Sequence, residues 1–96
     1  MNQNIEAIRN HLLRGLVGSS IEYKNSSGCH KFRIESSNPT HWLYISHEVV
    51  DDSEPVILIN LINIYKIVES FIEANESKWL YLGSTGIKEV DEHFTK

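Results

Sequence analysis

Cys29-His30 is the only neighbouring thiol and imidazole in the chain. Such a pair performs nucleophilic catalysis when the imidazole takes the proton of the thiol. However, His30 begins the strand-like run HKFRIES, and Cys29 directly precedes it. Adjacent residues of a strand point to opposite faces of a sheet. We therefore expect His30 not to activate Cys29, and the sequence leaves open whether another histidine reaches it. A single cysteine also excludes an intramolecular disulfide.

The histidines are the other candidates for chemistry. The chain contains His11, His30, His41, His47 and His93. His41 and His47 flank an aromatic segment, but an extended strand would separate them by about 20 Å. One metal ion needs ligands near 2 Å, and no Cys-x-x-Cys or His-Glu-x-x-His pattern occurs, so we expect no metal and no cofactor. The sequence favours a protein without enzymatic activity. A small enzyme using His41 or His47 with a nearby carboxylate stays an open alternative.

An acidic stretch, DDSE, holds Asp51, Asp52 and Glu54. It lacks the spacing and the glycine of a calcium loop, so we interpret it as a solvated loop. The alternative is a contact for a basic protein, as in small acidic inhibitors of the immunity type. The glycines form no phosphate-binding loop, because no lysine followed by serine or threonine stands at the required spacing.

Both tryptophans lie in the tripeptide Trp-Leu-Tyr, which occurs twice. In a strand, the two-residue period puts the leucines on one face and the aromatic rings on the other. A single layer of helices covers only one face of a sheet. If that layer covers the leucines, four rings form an exposed patch, and such patches are typical of interfaces or ligand grooves. The predicted binding residues are Trp42, Tyr44, Trp79 and Tyr81, with His41 and His47 beside them.

Other interpretations of the tripeptide remain open. It could be a short internal repeat, the parity could be reversed so that the rings lie under the helices, or the sheet could curl around them. If the patch is exposed, self-association is the first expectation, because symmetric pairing is the commonest way to cover such a face. The apolar side of a helix over 61–75 offers a second dimer surface, and an aromatic-walled pocket for a small apolar ligand is a further alternative.

The elements that must position these residues follow from hydrophobic periodicity. We predict the order α-β-β-β-β-α-β, with a helix over 4–14, strands at 20–25, 30–36 and 40–49, a strand at 55–59, a helix over 61–75 and a strand at 77–83. The charged segment 87–96 is left as a possible additional short strand. This order predicts an α+β fold, with a mainly antiparallel five-stranded sheet and two helices on one face.

Length and composition set the class of protein. The 96 residues, 41% of them hydrophobic, predict a single domain over 1–96. The net charge of −4 argues against nucleic acid and suits a neutral or basic partner. The start of the chain lacks the basic and apolar regions of a signal peptide, and charges interrupt the most apolar stretch. We therefore expect a soluble cytoplasmic protein with no membrane contact.

The layout HLLRGLVGSSIEYKN, HKFRIES, HWLYISHE and PVILINLINIYKIVESFIEAN resembles small α+β proteins of bacteria that are carried on integron mobile gene cassettes. The resemblance implies an oligomeric protein without an assigned function, and it transfers no site residues. Taken together, the sequence predicts a non-enzymatic interaction module that forms a homodimer through the aromatic sheet face or the apolar helix face.

Overall fold

A computed structural model of the chain describes residues 3–35 and 39–94. The elements are α1 (Gln3–Gly15), β1 (Ser20–Asn25), β2 (His30–Glu35), β3 (His41–Ile45), α2 (His47–Asp51), α3 (Pro55–Ile64), α4 (Ile67–Glu73), β4 (Trp79–Gly83) and β5 (Gly86–Val90). The five strands form one sheet in the order β1-β2-β3-β4-β5. The fold is α+β, as the sequence predicts.

The sheet is mixed, so the prediction of a mainly antiparallel sheet is wrong. Strands β3 and β4 pair in parallel, whereas the other neighbours pair antiparallel. The reason is the connection between them, since α2, α3 and α4 all lie between β3 and β4 in the chain. A crossover of this length returns the chain to the same end of the sheet and therefore produces a parallel pair.

The helical half of the molecule also differs from the prediction of two helices. The run Pro55–Ile59, predicted as a strand, is the first half of α3. Pro55 occupies the first turn of that helix, where its missing N–H has no cost. The predicted helix over 61–75 is divided at Lys66, which has a left-handed backbone with φ of 53°. As a result, the described residues form four helices, and the order of elements is α-β-β-β-α-α-α-β-β.

The predicted third strand, over 40–49, ends at Ile45. The Ser46 side chain accepts a hydrogen bond from the Val49 backbone N–H at 3.2 Å and thereby caps α2. His47 consequently begins a helix. At the other end of the sheet, the segment left open by the sequence forms β5, and Gly86 takes the positive φ of 123° that its turn requires. Ser36, the last residue of the predicted second strand, lies outside the described residues.

One hydrophobic core lies between the helices and one face of the sheet. Alternate strand residues supply one side of it: Ile21, Phe32, Ile34, Leu43, Ile45, Leu80 and Leu82. The helices supply the other side: Ile5, Ile8, Leu12, Val49, Val50, Leu58, Ile62, Ile67 and Phe71. The burial of Ile5, Ile8 and Leu12 confirms the amphipathic helix predicted over 4–14, which the structure places at Gln3–Gly15.

Within the described residues, no single helix is both long and apolar enough to cross a membrane. Only α3 and α4 taken together reach the necessary length and composition, and the two are bent by 43° relative to each other.

Candidate functional site

The face of the sheet opposite the helices follows from the strand register, because cross-strand partners point to the same face. One row across it, in strand order, consists of Glu22, Arg33, Trp42, Trp79 and Val90. The next row consists of Lys24, Lys31, Tyr44, Tyr81 and Lys88. We call these two rows the outer sheet face. All four predicted aromatic residues lie on it, as their strand parity indicates.

Trp42 and Trp79 form a stacked pair on this face. The parallel pairing of β3 and β4 puts the two Trp-Leu-Tyr segments in register. The two indole ring centroids lie 4.6 Å apart, and the ring planes differ by only 3°. Because this separation is about the distance between neighbouring strands, one face of each ring covers one face of the other, and the ring edges point away from the sheet. Both side chains are half-buried.

The two tyrosines are covered by the segment that follows β5. Phe94 stacks on Tyr44 with a centroid distance of 6.1 Å and contacts Tyr81 at 4.9 Å. Tyr44 is only 4% exposed, so the prediction of an exposed ring is wrong at this position. Phe94 itself is 38% exposed. The open aromatic surface therefore consists of the tryptophan pair together with Phe94 and Tyr81.

Cations surround these rings. The Lys31 ammonium lies 5.9 Å from the Tyr44 ring centroid, and the Lys88 ammonium lies 5.6 Å from that of Tyr81 and 5.3 Å from that of Phe94. Four of the nine Lys and Arg residues of the chain stand in the two rows, with one carboxylate, Glu22, among them. Arg33 forms an ion pair with Glu35, beyond the rows. The outer sheet face is thus basic on a chain that is acidic overall.

His41 does not belong to this surface, contrary to the prediction. It shares the parity of Leu43, lies on the helix side of the sheet and is 6% exposed. Its ring stacks on Phe71 at 4.9 Å, and its Nδ1 accepts a hydrogen bond from the Lys78 backbone N–H at 3.2 Å. Burial, and to a smaller degree the charge of Lys78, lowers the pKa of His41. A neutral imidazole fixed in this way is a core residue.

His47 is also separated from the tryptophans, because it begins α2 instead of extending β3. Its Nε2 lies 3.0 Å from Oδ1 of Asn25. Its ring meets the ring of His30 edge to face, with centroids 4.6 Å apart. The structure therefore places His47 beside His30, whereas His41 lies beside Phe71.

A polar cluster that the sequence did not reveal surrounds His30. The Tyr23 hydroxyl lies 2.6 Å from Nδ1 of His30, while Nε2 of His30 lies 3.7 Å from an oxygen of Asp51. This Nε2 atom is buried and has no hydrogen-bond partner among the described residues. The cluster joins β1, β2 and α2, and its members are up to 28 positions apart in the chain. Because α2 was not predicted, nothing in the sequence placed Asp51 beside His30.

Burial has the largest effect on the ionisation of Tyr23, Cys29 and His30. Burial, followed by the charge of His47, lowers the pKa of His30, although Asp51 raises it. Burial and Asp51 raise the pKa of Tyr23, so the phenol keeps its proton. Burial also raises the pKa of the Cys29 thiol, which makes it a poor nucleophile. The arrangement ties the β1–β2 hairpin to α2.

The second uncovered surface is the outer side of α3. This helix has no charged residue, yet Val56, Ile57 and Ile64 are 57%, 47% and 68% exposed. The same side also carries the exposed amides of Asn60 and Asn63. The opposite side of α3 packs in the core through Leu58 and Ile62.

Neither possible metal ligands nor similarity to known proteins indicates a function for this chain. Across residues 3–35 and 39–94, no group of three or more His, Cys, Asp or Glu side chains is placed to hold a metal ion. Comparisons with protein-family models, with curated proteins and with solved structures give no match. The resemblance to integron cassette proteins stays a prediction.

Proposed function

We propose that this protein is a non-enzymatic interaction module that forms a homodimer through the outer side of α3. The observation that carries the proposal is a helix without charge that leaves three β-branched apolar side chains, Val56, Ile57 and Ile64, about half or more exposed. Covering such side chains is favourable by roughly 25 cal/mol for each Å² removed from water.

The charge distribution favours α3 over the outer sheet face as the dimer surface. Pairing two outer sheet faces would bring the four cations of each copy against the same four cations of the other. Two copies with a net charge of −4 also repel one another generally. An uncharged helix is the surface at which two such copies can approach with least electrostatic cost.

The sequence of α3 suits two-fold symmetry. Val56, Asn60 and Ile64 are four residues apart, so they follow one stripe that turns by about 40° at each step. A two-fold axis at Asn60 would pair Val56 of each copy with Ile64 of the other. It would also pair the two Asn60 amides, each of which offers both a donor and an acceptor. A symmetric interface requires this kind of self-complementarity.

The other functions left open by the sequence have less support. An aromatic-walled pocket needs ring faces directed at a ligand, whereas one face of each indole is covered by the other. An enzyme built on His41 or His47 would need both a solvent-accessible imidazole and a carboxylate beside it. His41 is buried against Phe71, and the ring of His47 packs edge to face against that of His30.

Sedimentation velocity over about 5 to 500 µM tests the dimer. A short helix pair forms an interface at the small end of the usual range, so we expect dissociation in the micromolar range. The variant I64E should be monomeric throughout, because it buries a carboxylate in each half of the interface. The matched control is V17E, which adds the same charge at an apolar residue that is 89% exposed and lies outside α3.

The expected result is a concentration-dependent dimer for the original protein and for V17E, and a monomer for I64E. Circular dichroism spectra should show that all three proteins are folded. A monomer at every concentration for the original protein, or equal effects of the two glutamate variants, would refute the proposal.

A further inference from the structure

We propose that the outer sheet face binds an acidic peptide segment that carries an aromatic side chain. This inference concerns the opposite layer of the molecule from α3, and it holds whether or not the protein forms a dimer.

The first support is charge complementarity. Lys24, Lys31 and Lys88 stand in the two rows together with the carboxylate Glu22, and the fourth cation, Arg33, forms an ion pair with Glu35 on the same face. Thirteen Asp and Glu residues give the whole chain its negative charge. The concentration of cations on one face of an acidic protein indicates an anionic partner for that face.

The second support is the orientation of the indoles. One face of Trp42 covers one face of Trp79, and the stacked pair directs ring edges outward. The edge of an aromatic ring is electropositive, whereas its face is electronegative. Ring edges beside lysine ammonium groups therefore attract carboxylates, and they also accept the face of an incoming aromatic ring in an edge-to-face contact.

The chain itself supplies an example of such a contact. The segment Asp91–Phe94 carries two carboxylates and an aromatic ring in four residues. Its Phe94 lies on the rings of Tyr44 and Tyr81, under the ammonium of Lys88. This acidic and aromatic segment occupies the tyrosine row, while the tryptophan row beside it has no such cover among the described residues.

Single-stranded nucleic acid fits the same face less well. Its sequence-tolerant binding depends on bases that stack on open aromatic faces. Here, one face of each tryptophan is covered by the other tryptophan, and the tyrosines lie against Phe94.

Tryptophan fluorescence provides a direct test, because the only two tryptophans of the chain both lie on this face. The probe is a synthetic peptide of repeated Asp-Phe-Glu units, titrated into the 96-residue protein. A peptide of repeated Asn-Phe-Gln units is the uncharged control, and oligothymidylate of the same total charge is the nucleic acid control. We expect the acidic peptide to change the emission and to bind more tightly than either control.

Two charge-matched variants locate the binding site. K31Q/K88Q removes two cations beside the rings, and R9Q/R14Q removes two cations from α1. We expect K31Q/K88Q to weaken binding of the acidic peptide by about 5- to 30-fold, since exposed ion pairs each contribute up to about 1 kcal/mol. R9Q/R14Q should bind as the original protein does.

Three results would overturn the inference. They are an unchanged emission up to millimolar acidic peptide, equal weakening by the two double variants, and tighter binding of oligothymidylate than of the peptide. The last would assign the face to nucleic acid.

Discussion

The stacked tryptophan pair predicts a measurable coupling between Trp42 and Trp79. The rings are 4.6 Å apart and nearly parallel, and aromatic pairs in such contact contribute about 0.5–1.5 kcal/mol beyond their burial. Each side chain is half-buried, so each single alanine substitution should cost about half of the 3–5 kcal/mol that a fully buried aromatic residue costs, or roughly 2 kcal/mol. Because either substitution already destroys the stack, the double variant should lose less than the sum of the two single losses.

Urea unfolding followed by far-ultraviolet circular dichroism gives the free energies of unfolding without using tryptophan as the probe. The proteins compared are the unsubstituted protein, W42A, W79A and W42A/W79A. The control cycle combines W42A with V56A on α3, in the other layer of the molecule, and should be additive. If the tryptophan cycle is additive to within about 0.3 kcal/mol, the indoles do not stack, and the argument for outward-facing ring edges fails.

Two further predictions concern stability. The pKa of His41 is lowered by burial, so the unfolded chain binds a proton at a higher pH than the folded chain does. The free energy of unfolding should therefore fall as the pH drops below about 6.5, by at most about 1.4 kcal/mol per pH unit for this group, and urea titrations of H41F should show a weaker decline. Lys66 has a left-handed backbone, which costs a non-glycine residue about 1–2 kcal/mol. K66G should therefore raise the thermal midpoint, and a lower midpoint would contradict this account of the α3–α4 junction.

The parts of the fold that the sequence predicts are those governed by local periodicity. The spacing of Ile5, Ile8 and Leu12 indicates α1, and two-residue alternation gives the opposite orientation of Leu43 and Trp42. These patterns depend only on backbone geometry. For the same reason, the assignment of all four Trp-Leu-Tyr rings to one face agrees with the structure.

The remaining features depend on tertiary contacts. Pro55–Ile59 is a short apolar run, and such a run does not distinguish a buried strand from a helix, especially when proline can open either. No glycine or proline lies next to Lys66, so the sequence contains no signal for the helix break there. The burial of Tyr44 depends on Phe94, fifty residues later in the chain. No local pattern contains that contact, so the exposed fraction of the aromatic patch could not be predicted.

The account depends most on the two-fold pairing of α3 at Asn60, and disulfide trapping tests it most directly. Facing Cα atoms at the axis of two packed helices are about 4–6 Å apart, which a disulfide can span. In a C29S background, N60C should form a covalent dimer under mild oxidation, whereas V17C, exposed but outside α3, should stay largely monomeric. If N60C forms no more covalent dimer than V17C does, the proposed dimer is contradicted.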